Sequence, residues 1–300
     1  MAINGAEINQ NRKWKWLSFG PPKGSGKSTF AMTAPGTKLV LQYDLGTSTF
    51  PPGVDPASMW IQTYPDSDSS GLKTGAASDK WTRSKVIYGQ VVTDLDAIVT
   101  AFDKKADQIT LFDGSKVPLP DTLILDGLVR LDHIIVDGFC AINNIKDPGD
   151  AMDSRGKAGG GVQKFWGRRL TVFNKLFSLA ISLPCNVGAI TWEDIKTAQD
   201  DRGQFQIISR EPDVGGKLNI WGPGMFDASL YHYSAGGRFM VRTQPTTEIS
   251  RLGVRGCYDL PPTIDVTIDS KQLAHKDYQA PFNRVFNVDV KDTLMKLGGK

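Results

Sequence analysis

Apolar and polar residues alternate along Trp14-Lys15-Trp16-Leu17-Ser18-Phe19, the pattern of a half-buried strand. Thr29-Phe30-Ala31-Met32 starts a short helix that Pro35-Gly36 stops. Lys38-Leu39-Val40-Leu41-Gln42-Tyr43-Asp44 reads as a buried strand ending in a carboxylate. Residues 46–82 are rich in Gly, Pro, Ser and Asp and read as an irregular insertion. From Val91 to Lys105 the spacing is helical, with Val92, Leu95, Ile98, Val99 and Phe102 on one face. Ile109 to Val117 has the look of a small hairpin turning at Asp113-Gly114. Leu123-Ile124-Leu125-Asp126 is a short apolar run ending in an acid, and a helix is expected from Leu128 to Asn143.

Lys146 to Gly161 reads as a loop, followed by a helix from Val162 to about Leu183 that Pro184 ends. Asn186 to Thr191 is another buried strand, and Asp200-Asp201-Arg202-Gly203 turns a hairpin. Two more strands, Asp227–Tyr233 and Arg238–Thr243, are joined through Ala235-Gly236-Gly237. Beyond Pro261-Pro262, Thr263–Ile268 and Arg284–Val290 are strand-like. Strands that alternate with helices and then give way to hairpins predict an α/β fold. Its central sheet should be mainly parallel, flanked by helices, with β-hairpin additions near the C-terminus.

Composition narrows this picture only in places. A chain of 300 residues can bury a large core, and a net charge of +3 is too small to demand a nucleic-acid partner without a local patch. Cys140, Cys185 and Cys257, like His133, His232 and His275, are scattered, which argues against a disulfide framework or a zinc site. Met1 to Arg12 is polar, and no apolar run approaches membrane-spanning length. The expectation is a cytoplasmic protein without membrane association, in a compartment that supplies ATP and Mg²⁺. Acids are overwhelmingly Asp; the glutamates are Glu7, Glu193, Glu211 and Glu248.

Chemistry concentrates at Gly20-Pro-Pro-Lys-Gly-Ser-Gly-Lys-Ser-Thr29. Gly24, Ser25, Gly26, Lys27, Ser28 and Thr29 make a phosphate-binding loop between a strand and a helix, the context the motif requires. Glycines let successive N–H groups turn towards phosphate oxygens, Lys27 brings a charge to the β- and γ-phosphates, and Ser28 offers a hydroxyl to Mg²⁺. The helix beginning near Lys27 points its positive end at the same phosphates. The loop is irregular: the usual first glycine falls on Pro21, so either the loop carries an extra residue, Lys23, or Pro21 takes that place.

Asp126, delivered by an apolar strand, is the expected Mg²⁺-binding acid; the rival, Asp137, falls within the following helix. Asp44 and Glu193, each after a strand, are alternatives for orienting the attacking water, and Thr191 could sense a γ-phosphate or simply end its strand. Lys27, Asp44, Asp126 and Glu193 are therefore the candidate catalytic set. Arg155, Lys157, Lys164, Arg168 and Arg169 surround a triple glycine and suit a phosphate backbone, with Phe165 and Trp166 as stacking surfaces or core residues.

The order of these segments resembles the RecA-like phage ATPases, in particular single-strand-annealing recombinases built from a RecA core alone. It is carried by Gly24–Thr29, the acid-ended strand at Asp44, Leu123–Asp126 and Pro184…Thr191-Trp192-Glu193. Gly216-Lys217, Phe226-Asp227 and Arg238–Thr243 follow in the same order. The resemblance spans residues 14–256, which implies a core domain of 1–257 and a C-terminal β-containing extension of 258–300 outside it. It implies an ATPase that binds single-stranded DNA, forms homo-oligomers and works with a single-strand-binding protein. The chain departs from the family in its lengthened loop and in Asp44, where such proteins usually have Glu; a shorter carboxylate implies slow hydrolysis. Two other classes fit the motifs. One is a small-molecule or nucleotide kinase using residues 155–169 as a lid. The other is an oligomeric DNA motor or loader, for which Arg251 and Arg255 could reach a neighbouring subunit's site.

Overall fold

The computed structural model describes residues 13–44, 50–64, 77–146, 148–151, 158–214, 223–255, 260–271, 273 and 279–286. Six strands run parallel in the order β10 (Ala228–Ala235), β1 (Lys15–Phe19), β7 (Asn186–Ile190), β6 (Thr122–Asp126), β2 (Lys38–Gln42) and β3 (Met59–Thr63). Past β10 the sheet continues antiparallel through β11 (Arg238–Arg242) to β13 (Thr263–Asp265), while β12 (Gly253–Val254) also pairs with β10. Two hairpins stand apart, β4 (Gln108–Thr110) with β5 (Lys116–Pro118), and β8 (Trp192–Gln199) with β9 (Phe205–Asp213). The fold is α/β, with a large, mostly parallel central sheet flanked by helices.

The inner strands are buried on both faces, which is why they read as continuous apolar runs. Leu17, Leu39, Leu41, Leu123, Leu125 and Val187 face α2 (Ala77–Lys104), α3 (Leu128–Asn143) and α4 (Ala158–Ser182). Trp16, Val40, Ile124, Ile190 and Leu230 face the short helices α1 (Lys27–Met32) and α5 (Pro281–Phe286). Register then aligns the strand ends. Ser18, Ile190, Asp126, Gln42 and Thr63 form one row across five parallel strands. The chain leaves all five strands at one carboxyl edge, where open α/β sheets place their ligand sites.

Two expectations need correction. Residues 46–82 are not wholly irregular: Met59–Thr63 is the edge strand β3, and α2 begins at Ala77. An edge strand is covered on fewer sides, so its apolar signal is short and easily lost among Pro and Gly. Arg284 to Phe286 belongs to helix α5 rather than to a strand, with Pro281 in its first turn and Phe282, Val285 and Phe286 buried at helical spacing. Residues 287–290 lie outside the described residues. Thr263–Asp265, beyond residue 257, pair with β11 of the main sheet.

Candidate functional site

The chain leaves β1 at Phe19 and turns at Gly20, whose backbone lies against the carbonyl oxygen of His232 on β10; a Cβ at Gly20 would sit 2.1 Å from it. The Gly20 carbonyl accepts from the backbone N–H of Glu193 at 3.0 Å and from Lys27 Nζ at 3.4 Å. Lys27 Nζ also donates to Pro21 O and, at 3.0 Å, to Ser25 Oγ, while the Ser25 hydroxyl donates to Pro21 O at 3.2 Å. These bonds close the loop around its own lysine. Pro22, Lys23 and Gly24 are exposed at the crest of the loop. Gly26, at φ 80°, is left-handed and leads into α1 with no side-chain cap; a Cβ there would meet the ring of Phe239 at 2.9 Å. With six residues, α1 is too short for its dipole to count for much at its N-terminal end.

Lys27 is buried, and burial pushes its ammonium down to about 8, against the attraction of Asp126, Glu193 and Asp44. His232, also fully buried, bonds Ser18 Oγ through Nε2 at 2.9 Å. Burial holds that imidazole at about 3, so it stays neutral beside Lys27.

Asp126 ends β6, which lies two strands from β1 across β7, and is 8 % exposed. Its Oδ2 accepts the Ser28 hydroxyl at 2.9 Å, which joins the first turn of α1 to the end of β6. Burial pushes its carboxyl up to about 6; nearby Asp44 adds to the rise, while the Ser28 bond and Lys27 oppose it. Asp44 follows β2, stands 2.8 Å from where a Cβ on Gly127 would be, and is itself raised by burial despite Arg130, His133 and Lys27. Together with the loop, Asp44, Asp126 and Gly127 line a cleft of about 470 Å³, walled also by Ser28, Thr29, Gln42, Thr191 and Phe239. Asp137 lies in α3, away from the strand ends.

Glu193 occupies different ground. Its carboxylate takes the Arg210 guanidinium at 2.8 Å and the Tyr231 hydroxyl at 3.0 Å, and Arg210 reaches on to Glu248 at 3.4 Å. The Glu193 bond raises Arg210 above its ordinary range, and burial pushes Tyr231 up to about 12. Thr191 is fully buried and donates its hydroxyl to Asp213 O. Both residues thus pin the base of the β8–β9 hairpin, whose outer part exposes Ile195, Phe205, Ile207 and Ile208.

The basic set divides. Arg155 and Lys157 lie outside the described residues, and Lys164 and Arg168 are exposed on α4. Arg169 is not exposed with them: it is 8 % exposed and makes a two-pronged bond to Asp132 of α3. Helical spacing puts it one position round from Arg168, on the side of α4 that meets α3. Phe165 is buried, whereas Trp166 is 41 % exposed, with the Arg169 guanidinium 5.1 Å from its ring centre.

The cleft brings together Lys27, Ser28, Asp126 and Asp44, which the sequence singles out, and adds Phe239, which it does not; nor does it single out Tyr231 and Arg210, which hold Glu193. Phe239 carried a signal in its strand alternation, but nothing local says that β11 crosses beside the loop. Among the described residues no group of three or more His, Cys, Asp or Glu could hold a metal ion, and no helix is long and apolar enough to cross a membrane. Comparison with protein-family models and with curated proteins finds no match.

Proposed function

We propose that the chain is a P-loop ATPase that binds ATP with Mg²⁺ in the cleft between Gly20–Thr29 and Asp126. One observation carries this reading. The Ser28 hydroxyl and the Asp126 carboxylate meet at 2.9 Å at the carboxyl edge, beside a lysine wrapped in its own glycine loop. Lys27 spends its donors on loop oxygens that a triphosphate would replace with better acceptors. A Mg²⁺ ion fits the two hard oxygens of Ser28 and Asp126, with phosphate and water supplying the rest. Bound there, it would neutralise charge developing on the phosphates.

Asp44 is the favoured acid for orienting water, because it lines the cleft while Glu193 is engaged by Arg210 and Tyr231. The finer reading is a RecA-like recombination protein that anneals single-stranded DNA, and it rests on the resemblance in segment order. The exposed Lys164, Arg168 and Trp166 on α4 suit such a partner. The kinase-lid alternative is less favoured: among the described residues no side chain of α4 lines the cleft, and Arg169 is held by Asp132. The test is the ATPase rate alone and with single-stranded DNA, duplex DNA and nucleoside monophosphates. Stimulation by single strands supports the reading; phosphoryl transfer to a monophosphate overturns it.

A further inference from the structure

The sequence leaves the residues after Tyr258 without a role, yet they meet the phosphate loop at two points. The first is α1. Its six residues are too few to hold a helix by themselves, so packing decides where Lys27 and Ser28 stand. Beside the sheet, where the His232 ring centre lies 5.1 Å from that of Phe30, that packing comes from α5. Phe30 of α1 has its ring centre 5.8 Å from Phe282 and 6.3 Å from Phe286. Trp16 beneath it meets the same two rings at 5.0 and 6.0 Å, and Trp14 meets Phe286 at 4.7 Å. A polar bond fixes the register: Thr33 Oγ1, at the end of α1, donates to Phe30 O at 2.7 Å and accepts the Phe282 N–H at 3.0 Å.

The second point is Phe239, which lines the cleft and packs on Gly26. Its own backbone is gripped on both sides by the extension. Phe239 N–H donates to Thr267 Oγ1 at 2.8 Å, and Phe239 O accepts Val266 N–H at 2.8 Å. Arg284 of α5 then joins the two contacts, donating to Asp265 O at 3.0 Å and Thr267 O at 3.2 Å.

The geometry points to residues 263–267 and 281–286 as a clamp that positions the phosphate loop for nucleotide, through Phe282 on α1 and through Thr267 on Phe239. This rests on the nucleotide-binding reading above. Phe282 and Thr267 are positioning residues: neither lines the cleft.

The test uses the full chain with a fluorescent ATP analogue and Mg²⁺. Affinity is measured for the wild type, Phe282→Ala, Phe282→Leu and Thr267→Val, beside Phe177→Ala as a control. Phe177 is a residue of α4 itself, buried against the opposite face of the sheet. All are compared at a temperature where each is folded by circular dichroism. The clamp predicts that Phe282→Ala weakens binding tenfold or more and that Phe282→Leu recovers most of it. Thr267→Val should weaken it severalfold, while Phe177→Ala lowers the melting temperature with affinity unchanged. If Phe282→Ala does not fold, Thr267→Val decides. Wild-type affinity in the clamp variants, or an equal loss in Phe177→Ala, overturns the clamp and leaves the nucleotide site standing. A wild-type protein that binds no nucleotide overturns both.

Discussion

Replacing Asp126 with asparagine should make the ligand-free protein more stable at pH 8. The carboxyl is pushed from 3.8 up to about 6 by burial, with Asp44 adding to the rise. At about 1.4 kcal/mol per pH unit, ionising it inside the fold costs about 3 kcal/mol. The sign follows from proton binding. Between pH 4 and 6 the unfolded chain has released a proton that the folded chain still holds, so stability falls as pH rises through that window. Above about pH 6 both states are ionised and the full cost remains. The substituted amide has no proton to lose and can still accept the Ser28 hydroxyl. The value of about 6 already includes the attraction of Lys27, so the gain in the variant is the whole of that cost, about 3 kcal/mol. For a chain of 300 residues that is a rise in melting temperature of about 5 °C. Urea unfolding without nucleotide or Mg²⁺, at pH 4 and pH 8, reads the effect. The gain should be present at pH 8 and absent at pH 4, with ATP turnover lost. A variant less stable than wild type at pH 8, or equally shifted at both pH values, refutes the reasoning that Asp126 is kept at a cost to the fold.

Other substitutions probe neighbouring parts of the site. Gly20→Ala should destabilise by about 3 kcal/mol in urea unfolding, because the new Cβ meets a backbone carbonyl at 2.1 Å that cannot swing aside. Asp44→Asn should lower kcat for ATP about 100-fold and Glu193→Gln less than about tenfold; the reverse order would transfer the water-orienting role to Glu193. Neutralising Lys164 and Arg168 together should weaken single-stranded DNA binding and flatten its log–log salt dependence by about 1.4, with ATP affinity unchanged. An unchanged salt slope would remove α4 from the DNA surface.

The parts legible in the sequence were those fixed by local pattern. Fully buried parallel strands such as Leu39–Leu41 and Leu123–Leu125 announce themselves as apolar runs, and the acids that end them fall at the carboxyl edge by topology alone. The glycine loop is legible because backbone conformation dictates its residues. What stayed hidden depends on long-range packing. Arg168 and Arg169 look alike in the chain, but only Arg169 meets Asp132 across a helix interface. Glu193 reads as a free acid at a strand end until β9 and β10 bring Arg210 and Tyr231 to it. Phe282 lies 249 residues from Thr33, at the end of the helix it packs on, and no local periodicity encodes that contact.

Whether Lys27, Ser28 and Asp126 form a nucleoside-triphosphate site is tested most directly by equilibrium binding of ATP. Binding is measured with and without Mg²⁺ for the wild type and for Lys27→Ala, alongside their melting curves. The site predicts Mg²⁺-dependent binding by the wild type and loss of binding in Lys27→Ala. The variant gives up the Lys27 bonds to Pro21 O and Ser25 Oγ but should keep a single cooperative melting transition, so that lost binding is not lost folding. Equal ATP affinity in the two proteins, or no binding by the wild type, would contradict it.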